Sequence, residues 1–262
     1  MRSTVYAEWT KLRTVPSSAW LLIGTVVSTV ALGSLITASV NTDFCPSPVE
    51  CFEDTPKLSL TGVYLGQLTV VVLAVLAMTN EYGTRMIQTT LSLAPRRYRV
   101  LSAKAIVVTA VVLVAATVGV LGSLLVGRLI LPRNGFTPLH GYPPLSLGDG
   151  PTLRAAAGTV LYFGLVALLS LGVGAIVRDT AGAITTVVSL LYVLPIVAQF
   201  VPDPDVRKFL LEYAPMSAGL TIQVTVGVDL LPMRPWAGIG VLACWASAAM
   251  IAGFALFRYR DA

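Results

Sequence analysis

The sequence predicts an all-α membrane protein of about six transmembrane helices, and three observations lead there. Only 12% of the 262 residues are charged, against roughly 25% in an ordinary soluble domain. Hydrophobic residues make up 55% and the mean hydropathy is +0.80. The few charges punctuate long uncharged runs instead of being spread along the chain. A soluble fold so poor in charge would expose large apolar patches, and a disordered chain would lack this much apolar surface. The net charge of +5 and sequence pI of about 9.3 raise the question of nucleic acid. Such binding needs Lys and Arg gathered on one accessible surface, so nucleic acid is excluded as a partner class.

The expected spans are 19–40, 60–79, 105–125, 155–177, 181–201 and 236–257. Each reaches the roughly 20 residues that a helix needs to cross an apolar core of about 30 Å. A barrel would instead show shorter segments of alternating polarity. A cleaved signal peptide is the competing reading of Arg2, Lys11 and Arg13 ahead of the first run. That run exceeds a signal core and no cleavage site follows it.

With both termini cytoplasmic, the inner segments hold 11 of the 18 basic residues and a net charge of +7, and the outer segments a net charge of −2. The positive-inside rule therefore sets the orientation. Arg96-Arg97-Tyr98-Arg99 is the densest basic cluster. Cys45 and Cys51 fall in the first outer loop, where an oxidising compartment permits a disulfide; a pair of free thiols is the alternative. Cys244, in the last span, reads as packing.

Residues 1–18 read as an amphipathic entry helix. Val5, Trp9 and Leu12 recur at helical spacing, and Glu8, Lys11 and Arg13 lie on other faces. Trp9, Lys11 and Arg13 are the expected interfacial anchors, and Val15-Pro16-Ser17 turns the chain into the membrane. In the inner loop 80–104, Asn80 suits an N-cap and Glu81 the positive end of a helix dipole. Tyr82, Met86, Thr89, Thr90 and Leu93 continue at helical spacing until Pro95. Two readings fit this surface helix: a docking element for a partner, or a segment lying on anionic lipid. Farther along, Pro195 should kink the fifth span. The outer loop 202–235 contains an uncharged stretch, 213–228, too short to span comfortably, which reads as a re-entrant or cap-like segment. Gly62-Val63-Tyr64-Leu65-Gly66 permits close helix packing.

Catalytic signatures are absent from the sequence. It has no Walker A, H-E-x-x-H or G-x-S-x-G motif, and its one histidine, His140, lies in an outer loop among prolines. No cofactor or metal is expected on this chain, which is not expected to be an enzyme by itself. No expected span contains Asp, Glu, Lys, Arg or His, although ion-driven transporters usually carry such residues in the membrane. If the chain moves a substrate, the energy should come from a partner.

Three stretches resemble the ABC-2-type permeases of bacterial ABC transporters. Ala7-Glu8-Trp9-Thr10-Lys11-Leu12-Arg13-Thr14 is similar to their amphipathic entry helix. Glu81-Tyr82-Gly83-Thr84-Arg85-Met86-Ile87-Gln88-Thr89-Thr90-Leu91, with Pro95-Arg96-Arg97 and Lys104 behind it, resembles their cytoplasmic coupling-helix loop. Residues 172–195, including Arg178-Asp179-Thr180-Ala181-Gly182-Ala183, followed by Tyr213-Ala214-Pro215 and Ala218-Gly219, resemble their fifth-span region and outer re-entrant segment. The likeness covers nearly the whole chain as a single transmembrane permease domain.

The resemblance implies a homodimer, or a heterodimer with a sister permease, above two separate ATPase subunits that bind ATP and Mg. Glu81, Tyr82, Arg85, Met86 and Thr90 would dock those subunits. The second and fifth spans would face each other across the dimer axis and line a pathway for a drug, lipid or peptide, with Tyr64, Gln67, Tyr192 and Gln199 as candidates; ordinary interhelical hydrogen bonding or interfacial anchoring is the other reading of these four. The Cys45/Cys51 loop is not a family feature. The alternative function is a non-transporting membrane scaffold, sensor or immunity protein.

Overall fold

The structure, a computed structural model, describes residues 2–42, 53–83 and 97–259. Every regular element among them is helical. Six stretches are long and apolar enough to cross a membrane: Pro16–Ser39, Thr55–Asn80, Val100–Asn134, Gly150–Val177, Thr180–Gln199 and Pro235–Leu256. They coincide in number and order with the expected spans. By the length and composition of its helices the chain is a multi-pass α-helical membrane protein.

The entry helix α1 runs Arg2–Thr14. Val15 is extended (φ −90°, ψ 109°), and Pro16 opens α2, Pro16–Ser39. Proline suits that first helical position because its missing N–H would have no partner there. The second membrane-length stretch is two helices, α3 (Thr55–Leu60) and α4 (Val63–Gly83), joined through Thr61-Gly62. The third helix, α5 (Arg97–Ile130), has 34 residues and is about 51 Å long at 1.5 Å per residue.

These bounds correct the reading of 80–104 as one loop. Asn80 is not an N-cap but lies inside α4, and Arg97–Lys104 belongs to α5. The apolar run through Met78 already propagates the helix, and no Gly or Pro interrupts it before Gly83. Of the docking residues, Glu81 and Tyr82 belong to the last turn of α4. Arg85, Met86 and Thr90 lie outside the described residues, as do Cys45 and Cys51.

Helix α6 (Gly150–Val177) is the centre of the bundle. Its membrane-length window is 67% buried, against 22% for those of the first and last spans. Left-handed Arg178 (φ 61°) ends it, and the Asp179 side chain caps the next helix by accepting from the Gly182 N–H at 2.7 Å. So short a connection makes α6 and α7 (Thr180–Val188) antiparallel neighbours. The fifth span then passes through a π-helical turn, Ser189–Val193, into α8, Leu194–Gln199. Pro195 lacks the N–H that would bond one turn back, and the helix accommodates this as a π turn just upstream.

Before the last span come α9 (Pro204–Tyr213) and α10 (Pro215–Leu220), then α11, Pro235–Tyr259. Helix α10 and the 3-10 turn after it are buried: Pro215, Met216, Ala218, Gly219, Leu220, Ile222 and Gln223 are all enclosed. Gly238 lets α11 pass this segment, since a Cβ there would lie 2.0 Å from the Ala218 carbonyl oxygen. Cys244, expected in packing, is instead exposed on α11. Leu242 and Ala246 occupy the inward face of that helix.

Candidate functional site

Among the described residues, three clusters of polar groups link distant parts of the chain through side chains that are buried or nearly so. The first is at mid-bundle, where α4, α6, the π turn and α10 meet. Gln67 and Tyr162 are both fully buried. The Tyr162 hydroxyl donates to Gln67 Oε1, and Gln67 Nε2 donates to Met216 Sδ at 3.2 Å. The Tyr192 hydroxyl donates to the Tyr64 backbone carbonyl. A buried amide must find partners or cost free energy, and here they come from two other helices. Three of the four pathway candidates, Tyr64, Gln67 and Tyr192, thus come together. Gln199 does not join them; it is exposed at the end of α8.

The second place is the end of the bundle that carries α1. Glu8 is 3% exposed and Lys104 5% exposed. Glu8 Oε2 accepts from Lys104 Nζ at 2.7 Å, and Glu8 Oε1 from Lys11 Nζ at 2.8 Å. Sequence periodicity had placed Glu8 away from the apolar stripe. It faces the bundle because α5 supplies a cation, without which a buried carboxylate would not stay charged. Trp9 is exposed, as are Tyr6 and Arg13. Trp9 borders an apolar groove between α2 and α5, and Lys11 is half-drawn into the bundle.

The third place is the opposite end, and sequence reasoning missed it. Asp54 caps α3 by accepting from the Lys57 N–H at 3.1 Å. Its two oxygens also accept from the Thr225 hydroxyl at 2.8 Å, the Val226 N–H at 3.1 Å and the Thr225 N–H. Alongside, Gln223 Nε2 donates to Thr159 Oγ1 at 3.0 Å, and Arg154 donates to the Val224 carbonyl at 2.5 Å. Asp-Thr-Pro at 54–56 is a readable helix start, but its long-range partners had no local signal. Replacing Asp54 with Ala leaves four donors without this acceptor. Residues 223–226 should then exchange amide protons at least about 10-fold faster, given the roughly 1–3 kcal/mol cost of each unsatisfied buried group. Hydrogen exchange read by mass spectrometry checks this.

His140 is exposed in its loop and its ring contacts Thr137 Oγ1 at 3.1 Å. Among the described residues no three His, Cys, Asp or Glu side chains gather as a metal site. Comparison with protein-family models and with curated proteins finds no match. The sites therefore define a class, an α-helical multi-pass membrane protein with polar cross-links at mid-bundle and at both ends.

Proposed function

We propose that this chain is the membrane-spanning permease subunit of an ATP-driven ABC exporter, moving a hydrophobic or amphipathic substrate by alternating access. The observation that carries the reading is the order of elements. A short entry helix, six membrane-length helices and a buried helical segment before the last one follow the order in which the chain resembles ABC-2-type permeases. With no Walker A motif of its own, the chain depends on separate subunits for ATP and Mg. In this reading both termini are cytoplasmic, α10 is the outer re-entrant segment, and a second permease copy completes the pathway.

Helices α4 and α5 flank the proposed coupling loop, and the Glu8–Lys104 pair ties α5 to the entry helix. A push on the loop would therefore move α1, α4 and α5 together. At mid-bundle, parting the Tyr192–Tyr64 contact would open the seam between the second and fifth spans and bring Gln67 to the pathway. Docking is tested by combining Glu81→Lys with Tyr82→Ala. Co-purification of the ATPase subunit should fall at least about 10-fold, the loss of one or two charge-assisted contacts. Unchanged co-purification would remove these residues from the interface.

A further inference from the structure

A groove of about 790 Å³ runs between the fifth membrane-length stretch and α11, with Leu169 and Val173 of α6 as its floor. Its volume is that of an ordinary small-molecule site. Ser189, Leu190 and Leu194 belong to one wall, Trp245 and Ala248 to the other, and no described residue lining it is charged. Ser189 and Leu190 lie midway along Thr180–Gln199, at a depth where a backbone group finds no water. The π turn leaves an acceptor there. The Leu194 N–H, which an α-helix would give to the Leu190 carbonyl, goes to the Ser189 carbonyl instead. The next donor along the helix would be residue 195, and proline has no N–H. Neighbouring side-chain donors are directed elsewhere: Thr186 to the Gly182 carbonyl, Tyr192 to that of Tyr64, and Trp245 to that of Tyr213. The Leu190 carbonyl therefore has no donor among the described residues, and it lies between two side chains, Leu190 and Leu194, that line the groove. An acceptor left unmet in an apolar setting costs free energy.

We propose that this groove binds an uncharged, lipid-soluble alcohol, its hydroxyl donating to the Leu190 carbonyl and its apolar body lying between the fifth span and α11. The uncharged lining rules out an ion, whose desolvation nothing there would offset. The unmet acceptor selects a molecule with a donor, which an acyl chain lacks. A helix of a second copy would bring backbone N–H groups already paired along its own axis. The Ser189 hydroxyl, on the same wall, can rotate to donate to the oxygen of the ligand, which favours a hydroxyl over a simple N–H donor. The site does not depend on the transport reading, since it requires only that the groove lie within a bilayer.

The test is photolabelling of the full chain in nanodiscs with a diazirine-bearing decanol, the label being located by mass spectrometry of peptides. Saturable labelling of groove residues on the fifth span and α11 is expected, with unlabelled decanol as a competitor. Methyl decyl ether, which cannot donate, should compete about 10-fold more weakly at equal concentration in the bilayer, the worth of meeting one otherwise unmet acceptor. Pro195→Ala should weaken labelling by about the same factor. It gives the Leu190 carbonyl a donor in either geometry: residue 195 if the π turn persists, Leu194 if the turn relaxes to an α-helix. Ala248→Phe, at an exposed groove position of α11, fills the space and should abolish labelling while helical content is unchanged. Equal competition by the alcohol and the ether would overturn the proposal, as would full labelling in either variant. Efficient disulfide crosslinking of two chains through Ser189→Cys, in a chain without its three native cysteines, would put a second copy in the groove and overturn it too.

Discussion

Replacing Glu8 with Ala is expected to destabilise the folded chain by about 3 kcal/mol, the cost of removing one partner from a buried pair. The carboxylate is 3% exposed and sits 2.7 Å from a lysine that is itself 5% exposed. Its removal leaves the Lys104 ammonium in a poorly solvated place and opens the contact between α1 and α5. Lys11, with a side chain 37% exposed, can turn to water, so its share of the loss is small. Adding Lys104→Met should cost less than the sum of the two single losses, because the two side chains share a contact. Unfolding in mixed micelles, run on the wild type and the single and double variants, reads the coupling. Additive losses would mean that the two side chains do not support each other.

Replacing Gly62 with Ala should be at least as damaging, although the change adds one methyl group. A Cβ at Gly62 would lie 1.7 Å from the Thr29 carbonyl oxygen and 2.6 Å from its carbon. Both obstructing atoms are backbone, so no rotamer change relieves the clash and α2 must move away from α4. We expect a loss of about 3 kcal/mol or more, at or above the upper end for overpacked interiors. Gly240→Ala is the control. Nothing lies within 4 Å of a Cβ there, and Ala favours the helix over Gly by roughly 1 kcal/mol, so that variant should be neutral or slightly more stable.

Much of the fold was legible in the sequence because spanning a membrane is a property of local composition. Each expected span falls almost wholly within a helix or a short succession of helices, and the fifth, expected to kink at Pro195, passes through a π turn just before that residue. The form of that irregularity, a π turn at Ser189–Val193, has no signal of its own in the local sequence. Helix ends were less legible: Asn80 has the chemistry of a cap, but nothing before it stops the helix.

The polar sites were least legible, for a physical reason. Glu8 meets Lys104 across 96 positions, Gln67 meets Met216 across 149, and Asp54 meets Thr225 across 171. Periodicity reports which face a residue shares with its near neighbours, not which distant group will compensate its charge. The resemblance set the second and fifth spans face to face across a dimer axis; that Tyr64, Gln67 and Tyr192 gather within one chain was not anticipated. Tyr162 and Met216, which complete the hydrogen bonding of Gln67, were not anticipated.

A separate ATPase is the proposed driver of this bundle. The direct measurement is ATP hydrolysis in nanodiscs after co-expression with the P-loop ATPase of a neighbouring reading frame. We predict that the two proteins purify together, that a hydrophobic compound raises hydrolysis, and that Glu81→Lys with Tyr82→Ala abolishes the increase. Purification of this chain alone, with hydrolysis indifferent to every compound, would contradict the claim and favour a non-transporting membrane scaffold.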